Sequence, residues 1–244
     1  MTELMLHRGA RVVPREKIEL IEAPDPTETW FPIRHSTVLS TVETSLQGAG
    51  FTISKSQFAL SPDNNRFFGT LTLGSYVGEG INLAVGVRNS IDKTFPIGMC
   101  VGSRVFCCDN LAFSSEIIVT KKHTRFGEER FNEGISKAIL SLPEHRESQA
   151  LRIERMRNAE IDSDHANSLI LQAYEQKVIS HRLLPLVIEE YRHPQHQDFA
   201  ARNRWSLLNA FTEVLKCRQN NPAAFAALTI RLQALLDVPA VTAS

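Results

Sequence analysis

Hydrophobic and polar positions change their period along the chain. From Ser36, a residue suited to cap a helix, Val38, Leu39, Val42 and Leu46 recur at helical spacing until Gly48 and Gly50 end the run, which predicts an amphipathic helix over about residues 37–47. Then the period falls to two. Residues 51–60 and 66–73 flank the turn cluster Ser61-Pro62-Asp63-Asn64-Asn65 and predict a hairpin. After the Gly74 to Gly80 turn, Ile81, Leu83, Val85 and Val87 alternate with Asn82, Ala84, Gly86 and Arg88. One face of this sheet is apolar and the other small or polar. The small face either lets a backbone, ligand or helix come close or marks a bulge at its glycines. Further strands are expected at 104–108 and 116–122, separated by an Asp109-Asn110 turn.

Past Phe126 the helical period returns. Phe131, Ile135, Ile139 and Leu142 recur before Pro143, which is expected to end the segment. More helices follow: a charged one over 151–159, one capped by Asp162 or Ser163 and one after Ser180. Another covers 199–217, and a last one starts at Asn221-Pro222 and reaches Leu236. Strands first and helices later predict an α+β fold: an N-terminal helix plus an antiparallel sheet, followed by a helical C-terminal half packed on the sheet. The expected organisation is an extended, proline-punctuated leader over 1–35 that packs only through Trp30 and Phe31, a helix-plus-sheet core over 36–143, and a helical region over 144–244.

Composition narrows the class. The 244 residues carry 27 Lys+Arg against 27 Asp+Glu and are 43% hydrophobic, as expected of a folded domain and not of a disordered chain. No stretch approaches the roughly 18 apolar residues of a membrane span, and the start carries Glu3, Arg8, Arg11, Arg15 and Glu16 where a secretory signal needs an apolar run, so a cytoplasmic protein is expected. Neutral net charge argues against a histone-like nucleic-acid binder but leaves room for a local basic face.

Candidate chemistry is sparse. Cys100, Cys107, Cys108 and His123 offer zinc-type ligands without a C-x₂-C pair, and adjacent cysteines on a strand point to opposite faces; buried reduced thiols are the alternative. His193, His196 and Asp198 form either a metal or acid/base cluster or a solvated loop between helices. No nucleophile-elbow, phosphate-loop, dinucleotide-binding or zinc-protease motif occurs, so no catalytic residue or cofactor is assigned. Arg66, Arg88, Lys93, Arg104, Lys121, Lys122 and Arg125 all fall at strand ends or turns. With Phe67 or Phe68 nearby they form either a groove that follows phosphates while aromatic faces stack on bases, or a charged sheet edge that prevents aggregation.

Over 86–94 and 102–111 the chain resembles a prokaryotic family, carried largely on phages and plasmids, whose shared domain is known as domain of unknown function nine-three-two. The resemblance rests on Asn89-Ser90, on Cys108-Asp109-Asn110 and on His123-Thr124. It extends to a later helix matched by Trp205, Asn209, Ala210, Thr212 and Glu213. It covers about residues 36 to 216 and departs from the family at Phe95-Pro96. The family supplies no activity, but its mobile-element setting implies a task in replication, recombination or defence evasion. The order of helix, hairpin, third strand and helix is similar to the core of single-strand annealing proteins, an analogy of fold only. The resulting expectation is an accessory protein that binds single-stranded DNA and acts as a homo-oligomer. The alternatives are an interaction module that inhibits a host defence protein through its helical half, and a metal-dependent enzyme built on His193, His196 and Asp198.

Overall fold

A computed structural model describes residues 10–78, 80–105, 111–216 and 222–238. The chain is α+β. In order it forms β1 (Arg11–Val13), α1 (Arg15–Glu19), α2 (His35–Gly48), β2 (Ile53–Leu60), β3 (Arg66–Gly78), β4 (Ile81–Ser90), β5 (Ile97–Val105) and β6 (Leu111–Lys121). The helices α3 (Gly127–Leu140), α4 (Leu142–Asn158), α5 (Ser163–Glu175), α6 (Leu184–Arg192), α7 (Arg204–Leu215) and α8 (Pro222–Leu236) follow. The strands make one 6-stranded antiparallel sheet in the order β1-β2-β3-β4-β5-β6, so every strand pairs with its neighbour in sequence.

Register explains the two faces. Leu71 lies opposite Val85, Val85 opposite Val101, Val87 opposite Met99, and Met99 opposite Val119, so one face is a continuous buried apolar layer. The buried stripe of α2 (Val38, Leu39, Val42, Leu46) and that of α3 (Phe131, Ile135, Ala138) belong to the same core, with α2 against β4 and α3 against β6. The reverse face carries Thr70, Thr72 and Ala84, and these are buried too, with α4 lying against β3 and α8 against β6. A face of small residues accommodates such an approach. Cover is incomplete on this side: Ile118 and Thr120, which share the reverse face with Cys100 and Gly98, are exposed.

Several expectations change. The leader is not an extended strap held only by Trp30 and Phe31. Its β1 pairs with β2, Ile18 is fully buried, and Val13 and Ile33 join the core, because short apolar positions between prolines are enough to anchor a segment once a sheet edge is available. The strand expected from Arg104 begins at Ile97: Ile97, Met99, Val101 and Ser103 face the core while Gly98, Cys100 and Gly102 fill the alternate positions and mask the period. The helix expected to stop before Pro143 ends at Leu140, and Pro143 itself sits in the first turn of α4, where its missing N–H leaves no bond unmade. The helix expected from Phe199 begins at Arg204, after Asn203 accepts the Ser206 N–H as its cap.

Candidate nucleic-acid interface

In an antiparallel meander alternate strand ends coincide. The start of β3, the end of β4, the start of β5 and the end of β6 therefore meet at one end of the sheet. That end collects Arg66, Arg88, Lys121 and Lys122, with Lys93 on the β4–β5 turn and Arg125 just after β6. Arg104 lies at the other end, opposite Asn82, and its side chain falls outside the described residues.

These cations do different work. The Arg66 guanidinium is paired with Asp92 (2.8 Å), whose other oxygen accepts from the Ser90 hydroxyl (2.6 Å) and the Thr94 N–H (3.0 Å). Burial alone would raise the Asp92 carboxyl, but the bonds from Ser90, Thr94 and Arg66 outweigh it and hold it well below the usual carboxylate range. Arg66 therefore braces the β4–β5 turn. Arg88 is half-buried on the reverse face, its guanidinium 5.4 Å from the Phe95 ring centre, and burial lowers its pKa while Cys100 opposes the change. Burial in turn pushes the Cys100 thiol up to about 12, against the influence of Arg88 and the Gly86 backbone, which leaves it an inert packing group. Lys93, in the left-handed region at φ 65°, places its ammonium 4.8 Å from the Trp30 ring centre. Lys121 is half-buried on the α3 side, whereas Lys122 and Arg125 are exposed, Arg125 lying 5.9 Å from the Phe126 ring centre. Among the described residues no carboxylate pairs with Arg88, Lys93, Lys121, Lys122 or Arg125.

The aromatic partners differ from those expected. Phe67 and Phe68 are buried, Phe67 against His35 and Phe58, and offer no face to a ligand. The rings beside the cations are Trp30, Phe95 and Phe126, with Phe126 54% exposed. The pairing of Arg88 with Phe95 follows from proximity across a turn, but nothing in the local sequence brings Trp30 to Lys93.

Behind this surface lies a polar chain whose hydrogens can be assigned. The Asn89 amide nitrogen donates to the Ile33 carbonyl (2.8 Å) and to Nδ1 of His35 (3.0 Å), so His35 carries its proton on Nε2, which donates to the Asn64 carbonyl (3.0 Å). The Ile33 N–H donates to Nδ1 of His123 (3.3 Å), and the His123 carbonyl accepts from the Phe31 N–H (3.0 Å). Burial drives both imidazoles toward the neutral form, His35 down to about 4 with the Asn64 bond opposing, and His123 downward with the Phe31 contact opposing. Asn89, Ser90 and His123 thus tie the leader and the β4–β5 turn to the sheet.

The remaining candidates separate. Trp205 is buried in α7 with the Arg157 guanidinium 5.6 Å from its ring centre. Asn209 donates to the Trp205 carbonyl within the same helix, and Glu213 binds Lys216 (2.6 Å). This helix face is structural. Cys107, Cys108, Asn110 and Cys217 lie outside the described residues. His193 lines a cleft between α5 and α6, while His196 meets the Phe199 ring edge-on at 6.2 Å. Among the described residues no group of His, Cys, Asp and Glu side chains is arranged to hold a metal ion, and no helix is long and apolar enough to cross a membrane.

The fold and this surface define an antiparallel meander flanked by helices, with a cationic, ring-bearing strand end. No family model, curated protein or solved structure matches the chain.

Proposed function

We propose that the protein binds single-stranded nucleic acid, most naturally DNA, across the sheet end formed by Arg88, Lys93, Lys121, Lys122 and Arg125. The observation that carries this reading is the meeting, at one end of the sheet, of Trp30, Phe95 and Phe126 with cations that have no carboxylate partner among the described residues. Phosphates attract such cations whatever the sequence, and unstacked bases have faces that rings can cover. Arg66 is withdrawn from the set because Asp92 neutralises it. The role we propose for this binding is in replication or recombination, performed in the cytoplasm by a homo-oligomer.

Fluorescence anisotropy with labelled single- and double-stranded DNA and RNA at about 50 and 200 mM salt tests the reading, with light scattering for mass. Tighter binding to single strands that weakens steeply with salt is expected. Lys122→Glu with Arg125→Glu, both exposed, should cost at least about tenfold in affinity and reduce the salt slope by about 2. Unchanged affinity would remove the proposed surface.

A second reading rests on a different observation. Leu171 (51% exposed) and Tyr174 (40%) on α5 and Leu186 (53%) on α6 present large apolar groups on the helical half. Such groups suit a protein partner, including a host defence factor, and retention of that partner after nuclease treatment would favour this reading.

A further inference from the structure

A cleft of about 270 Å³ opens between α5 and α6 in the helical half. Its floor is Ala166, Ile170 and Ile188, and its polar wall is Asn167, Tyr191, Arg192, His193 and Arg202. Tyr191 is only 5% exposed, yet its hydroxyl has no hydrogen-bond partner. A buried phenol left in this state costs free energy unless something occupies it on binding.

The charged side chains that line the cleft, Arg192 and Arg202, are both basic. Ser163 and Ala166 from the first turn of α5 and Asn167 from the next also line the cleft, and that helix end is capped by Asp162 with Asp164 in the same turn. The negative end of α6 is neutralised, because the Arg202 guanidinium donates to the Tyr191 carbonyl and to the Arg192 carbonyl (2.9 Å). Arg202 also lies 5.1 Å from the Tyr191 ring centre. Asp162, which caps α5 by accepting the His165 N–H (2.7 Å), and Glu190, which binds Gln195 (3.0 and 3.1 Å), do not line the cleft. No carboxylate lines the cleft, and Arg192 is exposed without an acidic partner among the described residues. Burial raises the Tyr191 phenol above its ordinary value, with Arg202 opposing, so its hydroxyl keeps its proton and can donate.

We propose that this cleft is a binding site for a small organic anion, with a phosphate or carboxylate head held by Arg192, His193 and the Tyr191 hydroxyl, and an apolar body lying over Ala166, Ile170 and Ile188. The volume accommodates a single ring and its acidic group and no polymer. This site is separate from the strand-end surface, and either can fail without the other.

Isothermal titration of the full chain with phenyl phosphate, benzoate, inorganic phosphate and benzyl alcohol tests the assignment. Saturable 1:1 binding of phenyl phosphate or benzoate is expected, the stronger of the two naming the head group, with inorganic phosphate weaker and benzyl alcohol silent. Arg192→Gln and Tyr191→Phe should each weaken the better probe about tenfold while leaving the melting temperature within about 2 °C. Should Tyr191→Phe disturb folding, the exposed Arg192→Gln decides alone. No heat with any anion at about 10 mM, or equal affinity in Arg192→Gln, overturns the proposal; inorganic phosphate binding as tightly as phenyl phosphate overturns the apolar half of it.

Discussion

Asn89 and His123 hold the two backbone groups of a single residue: the Asn89 amide donates to the Ile33 carbonyl at 2.8 Å, and Nδ1 of His123 accepts the Ile33 N–H at 3.3 Å. Ile33 belongs to the leader, Asn89 to the end of β4 and His123 to the turn after β6. The clamp fixes the point from which Trp30 reaches Lys93, so the proposed binding surface depends on a buried contact it does not display.

Asn89→Ala should lower unfolding free energy by roughly 2–3 kcal/mol, since it leaves the Ile33 carbonyl and His35 Nδ1 buried and unpaired. Urea unfolding measures the loss. Hydrogen exchange at Phe31 and Ile33 should quicken in the same variant, and a change below about 0.5 kcal/mol would show that the clamp does not restrain the leader.

Acid should weaken the protein before its carboxylates protonate. His35 is held neutral down to about 4, and His123 is shifted in the same direction, so the unfolded chain binds more protons than the folded one once pH drops below the ordinary imidazole value near 6.5. Stability present above that value is lost progressively, and for His35 the loss of roughly 3 kcal/mol is complete near pH 4. Asp92 acts later: its depressed carboxyl stabilises the fold above the ordinary carboxylate value, and that contribution disappears only below it. Urea midpoints at pH 7.5, 6, 5 and 4.5 should fall steadily, less so in His35→Gln; a flat profile would contradict the buried neutral imidazoles.

Gly134→Ala tests how α3 seats on β6. The added methyl would stand 2.7 Å from Cγ1 of Val119, closer than carbon atoms tolerate. Alanine's helix propensity favours the substitution by about 1 kcal/mol, but overpacking against a branched strand residue costs about 1–3 kcal/mol. A lower melting temperature is therefore expected, recovered in part by adding Val119→Ala. A rise in the single variant would show that the interface yields.

The rings can be separated by their exposure. Trp30→Leu and Phe126→Leu should weaken single-strand binding by about 1 kcal/mol or more each, while Phe67→Leu, buried in the core, should lower stability and leave the affinity of the folded protein unchanged. Anisotropy on each variant after a melting check distinguishes them, and equal losses in all would argue against stacking at this end.

The helix at 35–48 and the β3–β4 alternation were legible because each buries one face, and burying one face imposes a period on the sequence. The strand at Ile97–Val105 was not, since glycines on its reverse face erased half of the alternation. Leader packing was hidden for another reason: Val13, Ile18 and Ile33 are isolated apolar positions with no period of their own, and they become core only beside β2 and α2.

The basic strand ends were visible as residue types at turns, and the neutral net charge was visible from composition alone. Which cations stay available was decided by folding: Asp92 claims Arg66, α3 half-covers Lys121, and Arg104 lies at the opposite end of the sheet. Local chemistry determines turns, caps and periods because those forces act over a few residues. Partners such as Asn89 with Ile33, or Lys93 with Trp30, are set by strand order and register, and these emerge only when the whole sheet has closed on its helices.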